Sequence, residues 1–168
     1  MIISKNILQC VKKIKLLILD VDGILTNGKI YMTSQGEEII QFHVHDGMGI
    51  KRLSESGVEI AIISSRKTNA VSTRAKNLNI RHVFLGQKNK LNAYQLLLKK
   101  LNLTSAQVAY MGDDLPDEVV MKKVALPITV PNAAGEIKKI SKFQTKQKAG
   151  NGAVREVCDL IYNTQQRA

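Results

Sequence analysis

The chain has 168 residues, enough for one domain whose core needs neither disulfides nor a structural metal to hold it. Its two cysteines, Cys10 and Cys158, form no metal-like spacing and no disulfide framework, which excludes a stapled secreted scaffold and predicts a cytoplasmic protein. The formal charge is +11, but Trp is absent, aromatics are 4%, and the cations are dispersed in pairs such as Lys99-Lys100 and Lys122-Lys123; this argues against a nucleic-acid partner and for attraction of small anions.

In chain order, residues 3–14 read as a short amphipathic helix. Lys5, Gln9, Lys12 and Lys13 interrupt its apolar residues, so no signal peptide is expected, and no later run reaches membrane-spanning length. Leu16-Leu17-Ile18-Leu19 is a continuous apolar run of strand length, the pattern of a strand covered on both faces. It drives into Asp20-Val21-Asp22-Gly23. Side chains at i and i+2 of an extended chain point the same way. Two carboxylates therefore meet at the carboxyl end of a strand, where ligands of parallel sheets collect. They repel unless a cation lies between them, and hard oxygen ligands suit Mg²⁺.

Residues 29–33 and 37–44 alternate about Ser34-Gln35-Gly36, which predicts a β-hairpin. Ile30 and Met32 share a face of its first strand, and Ile40, Phe42 and Val44 a face of its second. Such a face on a projecting hairpin either folds down onto its own domain or marks a contact with another molecule. Residues 48–56 read as a helix stopped by Gly57, and 58–63 as a second core strand ending in Ser64-Ser65-Arg66. A helix over 67–77 and a short strand over 82–85 follow. Leu91, Tyr94, Leu97, Leu98 and Leu101 recur at helical spacing behind Asn89, a suitable cap. A strand over 108–111 runs into Gly112-Asp113-Asp114, and a helix over 115–123 tolerates Pro116 in its first turn. A strand over 126–130, a helix over 132–140 and a last helix over 153–165 complete the chain. The alternation predicts an α/β fold: a Rossmann-like three-layer sandwich with a mostly parallel sheet, in a single domain over 1–168.

Four predicted strand ends carry polar residues that do not suit a buried sheet: Asp20 with Asp22, Ser64 to Arg66, the 88–90 segment, and Asp113 with Asp114. A carboxylate nucleophile can accept a phosphoryl group while a second carboxylic acid protonates the leaving alcohol. A lysine and a hydroxyl can bind the remaining phosphoryl oxygens. The set suits phosphoryl transfer. A non-catalytic phospho-receiver module shares the acidic cluster, hydroxyl and lysine, but has no need of an acid two residues past the acceptor.

These motifs resemble those of the haloacid-dehalogenase-like phosphatases: Asp20-Val21-Asp22-Gly23 the first, Ser64 the second, Lys90 the third, and Gly112-Asp113-Asp114 with Asp117 the fourth. The resemblance implies that Asp20 is the nucleophile and Asp22 the acid/base. It implies Mg²⁺ held by Asp20, Asp113 and the backbone carbonyl of Asp22, with Asp114 and Asp117 in support. Residues 24–28, 42–50, 86–90 and 152–157 further resemble the subfamily of 3-deoxy-D-manno-octulosonate 8-phosphate phosphatases, which are capless and tetrameric and act in lipopolysaccharide biosynthesis. By that resemblance the substrate contacts fall on His43, Val44, His45, Asp46, Gly47, Lys51, Arg66, Arg74 and Lys90. The cations among them that lie beyond the phosphate would meet the sugar carboxylate. His45 and Lys51 stand where the subfamily usually has arginine, and nine-carbon 9-phosphates are the nearest competing substrates.

Overall fold

The computed structural model describes residues 3–166. Lys5–Val11 (α1) leads into Leu16–Leu19 (β1), and a hairpin of Tyr31–Met32 (β2) and Glu38–Ile39 (β3) precedes Val44–Glu55 (α2). Strand and helix then alternate: Glu59–Ile63 (β4), Asn69–Asn77 (α3), His82–Phe84 (β5), Lys90–Leu101 (α4), Val108–Met111 (β6), Leu115–Met121 (α5), Leu126–Thr129 (β7), Gly135–Ile140 (α6), Phe143–Gln144 (β8) and Ala153–Gln166 (α7). The main sheet has the order β5-β4-β1-β6-β7-β8, and each neighbouring pair is parallel. β1 lies inside the sheet and all four of its residues are fully buried, as its unbroken apolar run requires.

The register explains why distant motifs meet. Leu19 pairs with Ile62 of β4 and Met111 of β6, so Asp20, Ser64 and Asp113 all leave the sheet at its carboxyl edge within two residues of one level. The helices behind them are capped as their sequences suggest. Thr68 accepts from Val71 N–H, Asn89 from Leu91 N–H, and Asp114 from Leu115 N–H. Asn102 closes α4 in the left-handed conformation.

Several boundaries differ from expectation; α1 is shorter than 3–14 and the first hairpin strand shorter than 29–33. The second hairpin strand, expected over 37–44, is only Glu38–Ile39, and the helix expected at 48 already begins at Val44. The reason is tertiary. Asp46 falls in the first turn of α2, is buried, and accepts the Arg155 N–H of α7 at 2.8 Å. Gly49 permits that contact, since a Cβ there would press on Arg155 and Cys158. The predicted helix over 132–140 starts at Gly135, and β8, two residues with only Phe143 buried, was not expected at all.

The hairpin's apolar face is correspondingly divided. Ile30, Met32 and Ile39 are 63%, 65% and 57% exposed, whereas Ile40 and Phe42 are half-buried against the body. Val44 belongs to α2 and not to the hairpin. Between β1 and α2 the described residues hold this small flap and no separate cap domain. Among them, no helix is long and apolar enough to cross a membrane.

Candidate active site

The loop after β1 is built to hold two carboxylates at different angles. Asp20 continues the strand and is buried, while Gly23, at φ +83°, turns the chain back sharply. Only glycine serves here twice over: the positive φ is strained for other residues, and a Cβ would overlap the Asp113 carboxylate. Thr26 locks the turn. Its Oγ1 accepts the N–H groups of Gly23 and Gly28 at 3.4 and 3.3 Å and donates to the Val21 carbonyl at 3.3 Å. The sequence reading gave Thr26 no role; a hydroxyl buried behind a charged loop was its signal.

Lys90 lies at the base of the site, buried, with Nζ 2.6 Å from Asp20 Oδ1 and 2.7 Å from Asp117 Oδ1. Asp117 has no spare valence. Its Oδ1 also accepts from Tyr110 OH at 2.6 Å, and its Oδ2 from the N–H groups of Asp113 and Asp114 at 3.0 and 3.3 Å. It is thus a bracket that fixes Lys90 and the β6 loop. Tyr110, a hydroxyl inside an apolar strand run, is a second residue whose part was not read from sequence. Gly112 admits the bracket, because a Cβ there would strike the Asp117 side chain.

Burial, then repulsion from Asp117, raises the Asp20 carboxyl well above the usual carboxylate range; Lys90 opposes this. Burial, then Asp20, Asp117 and Asp114, pushes Asp113 up to about 8. Burial alone would depress Lys90, but Asp20 and Asp117 together raise it, so it stays charged. Oxygens of Asp20, Asp113 and Asp117 lie within 4.8 Å of one another. Asp117 is saturated by its donors, whereas no protein donor among the described residues reaches the Asp113 carboxylate. Hard, crowded oxygens with one lysine for three carboxylates are a donor set that fits a divalent cation such as Mg²⁺, held by Asp20 and Asp113. The Asp22 carboxylate does not join them. It faces Arg66, whose Nε is 2.9 Å from its Oδ2.

A cleft of about 250 Å³ is lined by Asp20, Asp22, Ser64, Lys90, Asp113 and Asp114, among others. Arg66 reaches its rim through Asp22. The remaining expected substrate contacts lie elsewhere. His43 and His45 line a separate cavity of about 650 Å³ with Lys146, Gln147 and Arg155. Arg74 stacks on Phe42 and donates to the His43 carbonyl at 3.5 Å, and its guanidinium lies close against Gly47, where an added Cβ would displace it. Asp46 is committed to α7, and Val44 is exposed at the start of α2. Lys51 is half-buried on α2. Within one chain, then, the catalytic motifs converge and the 43–51 segment does not join them.

The chain is similar to proteins of one kind. A family model described as haloacid dehalogenase-like hydrolase matches residues 83–157. The 3-deoxy-D-manno-octulosonate 8-phosphate phosphatase of Escherichia coli (strain K12) is 45% identical over 163 residues, 97% of this chain and 87% of the relative. That of Yersinia pestis is 44% identical over 165 residues, covering 98% and 88%. The crystal structure of the Moraxella catarrhalis phosphatase with magnesium, phosphate and 3-deoxy-D-manno-octulosonate aligns at a TM-score of 0.94 and 44% identity, covering 98% of this chain and 95% of that one. A cobalt-bound relative from Haemophilus influenzae aligns at 0.90 and 35%, covering 94% and 92%.

Proposed function

The chain belongs to the 3-deoxy-D-manno-octulosonate 8-phosphate phosphatase family of haloacid dehalogenase-like hydrolases, and from that premise we propose that it releases phosphate from this eight-carbon sugar acid 8-phosphate. The observation that carries the proposal is the single cleft in which Asp20, Asp22, Ser64, Lys90 and Asp113 meet.

Asp20 is the nucleophile. Lys90 at 2.6 Å fixes its carboxylate and offsets the charge of an approaching phosphate, and an Asp20 oxygen attacks phosphorus to form an aspartyl phosphate. Asp22, two residues on and turned out of the acidic cluster, gives its proton to the departing sugar alkoxide. Water then attacks the phosphorus, Asp22 takes its proton, and phosphate leaves with Asp20 regenerated. Ser64 and Lys90 bind the phosphoryl oxygens. Mg²⁺ on Asp20, Asp113 and the Asp22 carbonyl supplies charge neutralisation that lets an anionic nucleophile meet an anionic substrate.

Arg66, beside Asp22, receives the sugar carboxylate in its own chain's cleft. His43, Val44, His45, Lys51 and Arg74 stand apart from that cleft and complete it from a neighbouring copy, while Asp46 and Gly47, buried in their own chain, hold the start of α2 that carries them. The assembly is a homotetramer joined through the flap and the start of α2, where Ile30, Met32, Ile39, Val44 and Met48 are exposed. The whole chain works as one capless domain; the ends of that span, 1–2 and 167–168, lie outside the described residues. It acts in the cytoplasm, where Cys10 and Cys158 stay free.

The test is phosphate release with Mg²⁺ across a panel of sugar phosphates and an aryl phosphate. The eight-carbon 8-phosphate is expected to give the highest kcat/KM. Preference for a nine-carbon 9-phosphate would move the assignment within the same chemistry, and absence of any turnover would leave a receiver module.

A further inference from the structure

Arg66 is gripped by carboxylates from two different elements. Its backbone is fixed first: its N–H donates to Ser64 Oγ at 3.2 Å, and its carbonyl accepts from Gly86 N–H at 3.1 Å. From that anchored base the side chain reaches Asp22 through Nε at 2.9 Å and Glu38 through Nη1. Glu38 sits on β3, in the flap, next to Met32 of β2. Among the described residues this is the only ion pair between the flap, residues 29–42, and the rest of the chain. The pair lies at the open rim of the cleft, with Arg66 and Glu38 side chains 29% and 31% exposed. Water and solutes therefore reach it. A guanidinium presents its donors as a rigid fork that suits one carboxylate held by two bonds. Here that fork is divided between Asp22 and Glu38, and the Nη1 arm is taken by a flap residue rather than by the body of the site.

We propose that Glu38 is a specificity-determining residue: its carboxylate occupies the place on Arg66 that the carboxylate of the substrate takes, and the substrate displaces it. The proposal rests on the reading of Arg66 as the receiver of the sugar carboxylate. The exchange conserves charge, since one carboxylate leaves the guanidinium as another arrives. It frees the flap from its ion pair at the moment the sugar acid binds. Glu38 thereby sets the affinity for the carboxylate end of the substrate and has no counterpart at the phosphate end, which Ser64 and Lys90 hold.

The experiment compares Glu38→Gln with the native enzyme on 3-deoxy-D-manno-octulosonate 8-phosphate and on para-nitrophenyl phosphate, which has no carboxylate. Removing a partly exposed competing ion pair is expected to lower KM for the sugar acid phosphate about two- to fivefold, with kcat little moved. The free sugar acid should inhibit the variant more strongly by a similar factor, and the aryl phosphate should show no such gain. Glu37→Gln, at the residue just before β3, controls for the loss of a negative charge alone. A higher KM in Glu38→Gln, an equal gain on both substrates, or the same gain in Glu37→Gln overturns the proposal. Arg66→Ala separates the two readings. If it leaves KM for the sugar acid phosphate unchanged, the reading of Arg66 fails; if it raises KM while Glu38→Gln lowers nothing, only the role of Glu38 fails.

Discussion

At the scale of single residues, three carboxylates and one lysine share a buried space, and the placement of each oxygen separates their roles. Asp20→Asn replaces the proposed nucleophilic oxygen by an amide and is expected to reduce phosphate release by at least about a thousandfold while leaving the fold intact. Asp22→Asn, which removes the proposed proton donor, is expected to cost about a hundred- to ten-thousandfold. Steady-state phosphate assays on variants checked by circular dichroism read both. Asp117→Asn should act differently. Asp117 is saturated by protein donors, accepting from Lys90, Tyr110 and two backbone N–H groups. An amide cannot accept at all of these positions, so the expected loss is in thermal stability as well as rate, whereas Asp20→Asn costs rate only. A melting temperature of Asp117→Asn equal to that of the native protein would contradict the bracket role.

At the scale of elements, the proposed assembly rests on the flap and the start of α2. Its exposed apolar residues include Ile30, Met32 and Ile39 on the flap and Val44 and Met48 on α2. Phe42 is half-buried against its own chain, so substituting it would confuse folding with association. Met32→Asp with Ile39→Asp is the cleaner change: it is expected to yield folded particles smaller than the native assembly, with poor sugar phosphate turnover. Sedimentation velocity reads the first and the phosphate assay the second. A native protein that is a fully active monomer would end the proposal. The helices themselves follow simple rules. Lys99 and Lys100 close α4, and Lys138 and Lys139 close α6, where cations complement the helix dipole. Part of the +11 charge is thus placed by helix electrostatics.

At the scale of the whole molecule, the buried acidic cluster links metal, pH and stability. In the metal-free protein Asp113 keeps its proton up to about pH 8, while the same group in the unfolded chain titrates near its ordinary value of 3.8. Between those limits the folded state holds more protons than the unfolded one. Stability therefore falls as pH rises through this window and levels off above it. Burial and repulsion act on Asp20 in the same direction. Mg²⁺ needs the carboxylates ionised, so the stability it adds should grow over the same range. Thermal melts at about pH 5 and pH 8.5, with and without Mg²⁺, are expected to show the larger gain at the higher pH. An equal gain at both would mean that these carboxylates do not bind the metal. Chelation should abolish turnover and added Mg²⁺ restore it.

The catalytic motifs were legible in the chain because each stands at the end of an apolar run. Leu16–Leu19 before Asp20, Glu59–Ile63 before Ser64, and Val108–Met111 before Asp113 declare buried parallel strands, and parallel strands bring their carboxyl ends to one edge. Lys90 was legible by a different route, since it opens a helix just after a short strand and lies at the same edge. What the sequence could not decide were the choices made between distant elements. A stretch that alternates like a strand from 37 to 44 becomes mostly loop and helix because Asp46 is drawn to the N–H of Arg155, more than a hundred residues away. Arg66 and Arg74 look alike as cations near one motif. Only the packing sends Arg66 to Asp22 and Glu38 and lays Arg74 on Phe42. Hydrophobic periodicity is a local property and survives in any window of the chain. The partner of a buried or rim carboxylate is set by which surfaces meet when the sheet closes, and that depends on the whole fold.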